Sequence, residues 1–216
     1  MKNKTRLATT IFLGITIFVT LGCQLASKAT PAPISISEST PTQAPEPDIS
    51  SAVLTLEDLP AGFEEISTDE IGITEADFSE EALQPEEIFI FLNSENFQMV
   101  FGFNFLLTKT LDRAAFDVAI SQPEISLPAM VNGMGSENVQ DEKIIDGFED
   151  IGDAQVGMTM ITNMEGVPVR VDVLMFRRDV IGVMVMSMVL DGGDPNITLH
   201  DLGLKLDQII QGSLQP

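Results

Sequence analysis

The chain has 216 residues and sets 33 acidic side chains against 11 basic ones, a formal charge of −22. A surface that acidic is repelled by nucleic acid and by anionic lipid head groups, which excludes nucleic-acid binding. One cysteine and one histidine exclude a disulfide framework, a tetrahedral zinc centre and a type-1 copper site.

The chain opens with a leader. Lys2, Lys4 and Arg6 precede an uncharged apolar run from Leu7 to Leu21, and small Gly22 stands before Cys23. A basic start, a short apolar core and a small residue make an export signal, too short for a comfortable membrane span. The series resembles bacterial lipoprotein precursors, with Thr20 in place of the commoner leucine three residues before the cysteine. The resemblance implies a signal peptide over 1–22, cleavage between Gly22 and Cys23, and acylation (palmitate or a similar chain) of the Cys23 sulfur. One acyl chain holds a protein marginally, while two or more anchor it stably at about 0.8 kcal/mol per buried methylene. The expected location is therefore extracytoplasmic and lipid-anchored. It is either the periplasmic side of an outer membrane, which Gln24 favours where a cell has two, or the outer face of the cell membrane. Without acylation, Cys23 would end an uncleaved signal anchor or pair with another chain.

Residues 23–51 are rich in Ala, Pro, Ser and Thr, with Pro31, Pro33, Pro41, Pro45 and Pro47. Such a stretch buries too little apolar surface to offset its ordering entropy and reads as a disordered tether. A flexible chain of this length spans roughly 30 Å. Cleavage would leave 8 basic residues against the 33 acidic ones, a charge of −25, and no basic residue lies between Lys28 and Lys109. The twelve acids from Glu57 to Glu87 read as a solvated face.

Residues 52–216 make one domain. Ile88 to Leu92 and Phe97 to Leu107 flank an Asn93-Ser94-Glu95-Asn96 turn and predict a hairpin. The second run alternates, with Phe97, Met99, Phe101, Phe103, Phe105 and Leu107 on one face and Gln98, Gly102 and Asn104 on the other. Period two predicts a half-buried strand. Thr110 to Ile120 reads as a helix ended by Pro123, and a short helix is expected over 124–131. Ala154–Thr162 and Val167–Phe176 alternate around an Asn163–Gly166 turn. Val180–Leu190 is apolar on both faces and should be a central strand covered on both sides. Leu199, Leu202, Leu206, Ile209 and Ile210 give a closing amphipathic helix, with Thr198 and Asp201 as a capping box. The order predicts an α+β domain on a single antiparallel sheet.

Four short motifs carry a second resemblance: Leu59-Pro60-Ala61-Gly62-Phe63, Gly152-Asp153-Ala154, Arg177-Arg178-Asp179-Val180 and the closing helix. Residues 52–216 are similar to PsbP-like (Mog1-like) domains and to the extracellular sensor domain of mycobacterial-type kinases. This implies an α-β-α sandwich and a non-enzymatic binding or accessory role, with no catalytic residue and no cofactor.

The chemistry left open is sparse. His200, at the start of the last helix, reads as a surface residue, since no nucleophile elbow accompanies it. Met184, Met186 and Met188 share one strand face with Met158 and Met160 nearby, a soft-ligand series that could take Cu(I) but more simply fills a core. Asp191, Asp194 and Asn196 offer oxygen ligands for Ca²⁺ in a loop that turn chemistry already explains. Hydrolysis by clustered carboxylates would need two acids flanking a cleft with well-separated pKa values. The expected partners are the membrane, through the lipid anchor, and another protein.

Overall fold

The computed structural model describes residues 49–71, 87–107, 110–123, 139–164 and 166–214. The leader, Cys23, all but the end of the tether and the helix expected over 124–131 lie outside these residues. The described chain forms an α+β domain on one seven-stranded sheet. Its strands are β1 (Phe63–Glu65), β2 (Glu87–Asn93), β3 (Gln98–Leu106), β4 (Gln140–Ile145), β5 (Ala154–Met164), β6 (Val167–Arg178) and β7 (Ile181–Leu190). They lie in the order β1-β2-β3-β7-β6-β5-β4, every neighbouring pair antiparallel. Three helices join them: α1 (Thr68–Ile71), α2 (Thr110–Ser121) and α3 (Leu199–Ser213).

β7 is central, as its two-faced apolar run requires: every residue from Ile181 to Val189 is buried. It brings the hairpin β2–β3 against the meander β4–β7, so the sheet closes through a pairing distant in sequence. The two outermost strands were not expected. β1 has three residues, two of them exposed glutamates, and β4 reads Gln-Asp-Glu-Lys-Ile-Ile. Charged side chains on an edge strand oppose pairing with another chain, and they also erase the alternation by which a strand is recognised.

The sheet separates two apolar clusters. Phe101, Phe103, Phe105, Val173, Met184 and Met186 group with Phe116 and Ile120 of α2. Phe91, Val100, Leu174, Val183 and Val185 group with Leu199, Leu202, Leu206 and Ile210 of α3. Burying a leucine such as Leu202 or Leu206 completely contributes about 1.5–3 kcal/mol. At the head of α3, the Thr198 hydroxyl accepts from the Asp201 amide at 3.1 Å and donates to the Asp201 carboxylate at 2.7 Å. The acid thus closes the cap on the hydroxyl.

β3 differs from its half-buried expectation. Gln98 and Asn104, placed by period two on a solvent face, are fully buried. Both are there because each ties down a loop. Gln98 donates to Ser187 Oγ and the Ile197 carbonyl and accepts from the Asn196 and Ile197 amides, fixing the approach to α3. Asn104 donates to the carbonyls of Ile49 (3.1 Å) and Ala52 (2.9 Å) and accepts from the Glu87 amide. Ile49 is itself buried, so packing reaches back three residues before the boundary expected at 52. Phe97 also departs from the strand: it lies in the β2–β3 turn with φ of 55° and is 63% exposed.

Asn104 thereby fastens residues 49–52 to the sheet. Asn104→Ala is expected to cost about 1–3 kcal/mol, because it removes the partner of buried backbone groups. Urea unfolding measures the loss. Amide exchange should quicken across 49–54 ahead of the sheet; uniform acceleration would mean that Asn104 does not hold this segment.

Candidate functional site

Charged side chains converge at one end of the sheet, around the β6–β7 turn. Arg177 and Arg178 end β6, and Asp179 turns the chain with φ of 51°. Gly152, with φ of 67°, brings the chain against this turn: the Asp153 amide donates to the Arg177 carbonyl at 2.6 Å. A side chain at 152 would meet that same carbonyl oxygen. Asp153 then reaches both arginines, at 3.1 Å from Arg177 Nη1 and 2.9 Å from Arg178 Nη1, and accepts the Asp179 amide at 2.7 Å.

Each arginine holds a different helix. Arg177 donates through Nε and Nη2 to both oxygens of Asp117 on α2, at 2.8 Å each. Arg178 makes the same fork with Asp207 on α3, whose carboxylate also accepts from Gln211 at 2.7 Å. Arg113 of α2 adds a bond to Asp179 at 3.2 Å. Bidentate pairs fix direction as well as distance, so this clasp ties α2 and α3 to the end of β6. Chemically it is saturated. Its forks and carboxylates are engaged with one another, which suits a structural role better than capture of a ligand.

The hydrogen bonds that Arg177 donates to Asp117 hold its guanidinium above its ordinary pKa, outweighing the opposing effect of burial. Asp207 does the same for Arg178. A cation whose pKa rises on folding contributes stability that is complete below its unfolded value and lost only above the folded one. For arginine both lie in strong alkali, so this contribution is constant across the neutral range.

The other residues marked by sequence lie elsewhere. Met184 and Met186 are 2% exposed and Met188 8%, inside the apolar cluster on the α2 side, together with Met158 and Met160. Asp191 and Asp194 are exposed in the loop after β7. Among the described residues, no three His, Cys, Asp or Glu side chains gather where they could hold a metal ion. His200 is part-exposed, with Nε2 3.1 Å from Asp150 and its ring 6.0 Å from that of Phe148.

Two of the short motifs quoted from sequence, Gly152-Asp153 and Arg177-Arg178-Asp179, meet in the clasp, and the closing helix supplies its Asp207. Asp117 and Asp207 were not marked. The available signal was Gly203 with Asp207, a small residue and an acid four apart on the buried side of α3. Among the described residues, no helix is long and apolar enough to cross a membrane. Neither a protein-family model nor a curated protein sequence matches the chain.

Proposed function

We propose that this protein is a membrane-anchored lipoprotein whose α+β domain works outside the cytoplasm as a non-enzymatic binding or accessory module. The observation that carries the reading is Cys23 behind Gly22 and an uncharged run from Leu7 to Leu21. The Pro-rich tether supports it, since it would lift the domain from the bilayer by roughly 30 Å. A three-layer α-β-α arrangement, of the kind implied by the likeness to PsbP-like and kinase sensor domains, is supported by Phe116 and Ile120 on one side of the sheet and by Leu202, Leu206 and Ile210 on the other.

The test is intact-mass analysis of the membrane fraction, with Cys23→Ala alongside. The wild type is expected to begin at Cys23 and to carry added acyl mass, while the variant leaves the membrane or keeps its leader. An intact leader, or a cleaved chain without lipid, removes the anchor and leaves a signal-anchored or freely secreted protein.

A further inference from the structure

The end of the sheet opposite the clasp exposes apolar side chains. It is formed by the β2–β3 turn, the β5–β6 turn and the loop between β7 and α3. Three of the six large apolar side chains exposed among the described residues lie here: Phe97 in the first turn, Val167 at the start of β6 and Leu190 at the end of β7. β7 runs between β3 and β6, so the three stand on adjacent strand ends. The other three, Leu56, Val118 and Ile144, are scattered singly.

Phe97 is exposed in a left-handed backbone conformation that a bulky side chain adopts at a cost. In the same turn, Asn93 Nδ2 and Asn96 Nδ2 are buried without a hydrogen-bond partner, and Asn93 as a whole has no exposed surface. Unpaired buried donors are rare in folded proteins and weaken them. Strain, orphaned amides and an exposed ring in one five-residue turn are features that selection for stability alone would remove.

Charge identifies the partner. Glu95, Asp191 and Asp194 are exposed around this apolar end, and residues 93–97, 163–167 and 190–198 contain no lysine or arginine. The arginines at the other end are paired with acids, and Arg170, the one beside this end, is paired with Asp172 at 3.1 Å. The same acidity that repels a second copy of the chain, or an anionic bilayer, attracts a basic polypeptide. Asn104, which fastens residues 49–52, lies seven residues along β3 from Phe97, about 23 Å at the rise of a strand. The apolar end therefore points away from where those residues join the sheet.

The geometry points to this acidic-rimmed tip as the docking surface for a protein segment that presents an apolar anchor residue flanked by lysine or arginine. The proposal rests on the binding-module reading above and gives that module its surface and its partner's chemistry.

The probe is a random dodecapeptide display library, selected on the full chain in mild detergent. Enriched peptides should place Phe, Leu or Ile beside Lys or Arg. A synthetic copy of the commonest should bind at least tenfold more weakly to Phe97→Gly and to Leu190→Ser, and more weakly as salt rises. Glycine adopts φ of 55° without strain, so Phe97→Gly should also raise the melting midpoint, by about 2–4 °C. Weak binding by a more stable variant separates recognition from folding. Undiminished binding by Phe97→Gly reduces the effect to general attraction toward an acidic surface and overturns the proposal. So does enrichment of peptides without cations, or of none. Self-association, or uptake by phosphatidylcholine vesicles, that Phe97→Gly abolishes would assign the tip to a second copy or to lipid and also overturns it. Acyl mass at Cys23, read on the same preparation, keeps the two readings apart. Tip binding by an unlipidated chain removes the anchor alone, and loss of tip binding by a lipidated chain removes the surface alone.

Discussion

Asp207→Ala is expected to destabilise the domain by about 3 kcal/mol, near the lower end for breaking a buried ion pair. The Asp207 side chain is 4% exposed and takes two bonds from Arg178 and one from Gln211. Alanine leaves the guanidinium part-buried with only Asp153, at 2.9 Å, to neutralise it. That remaining contact, and the quarter of the Arg178 side chain that stays exposed, keep the cost below the upper figure of about 5 kcal/mol. For a domain of this size the melting midpoint should fall by about 6–12 °C. Asp117→Ala, at the other fork, should cost about 1 kcal/mol or less, because its side chain is 41% exposed and water can replace it. Changing both partners, Arg178→Met with Asp207→Leu, should recover most of the loss, since no charge is then left buried. Equal losses for Asp207→Ala and Asp117→Ala in thermal unfolding would contradict this account of the clasp.

The elements that sequence made legible are those whose burial repeats with a period. Val180–Leu190 declared itself central because it is apolar on both faces, Ser187 being its one polar side chain, and α3 because Leu199, Leu202, Leu206 and Ile210 recur at helical spacing. β1 and β4 were illegible for the converse reason: an edge strand of this sheet is exposed and charged, and pays for its safety from aggregation with a weak pattern. β3 misled in a different way. Gln98 and Asn104 alternate as polar residues should on a solvated face, yet they are buried because loops from 49–52 and 196–197 supply their partners. Period two reports polarity, and it cannot see a loop that arrives from some 50 or 100 residues away to satisfy it.

The candidate sites divide along the same line. An export signal is a local sequence pattern, so the expectation for Gly22 and Cys23 could be formed from adjacent residues alone. The clasp is assembled from α2, the approach to β5, the β6–β7 turn and α3, and only its two short motifs stood out beforehand. The tip was the least visible. Phe97 looked like one more apolar residue in an alternating strand, and only its positive φ and its exposure remove it from the core. The methionines show the opposite case: a spacing that suits a soft metal and burial that suits packing.

Gly102→Ala is expected to destabilise by about 3 kcal/mol, toward the top of the usual range for overpacking. Gly102 faces Phe89 across the β2–β3 pair, and the ring lies over the glycine. A methyl group there would collide with the Phe89 ring and stand 2.8 Å from the Met184 carbonyl oxygen. The ring is buried in the cluster on the α3 side and has little room to turn. The carbonyl is fixed more firmly still, because Met184 belongs to the ladder that joins β7 to β3. Relief must therefore come from the central strands themselves. Gly212 supplies the contrast: it lies in the last turn of α3, and a methyl group there meets nothing within 4 Å. Gly212→Ala should stabilise by about 0.5–1 kcal/mol through helix propensity and the lost freedom of the unfolded chain. Urea midpoints that move in opposite directions for the two variants are the expected result. A neutral Gly102→Ala would mean that β2 and β3 can slide apart at Phe89, and that the sheet's centre is softer than its packing implies.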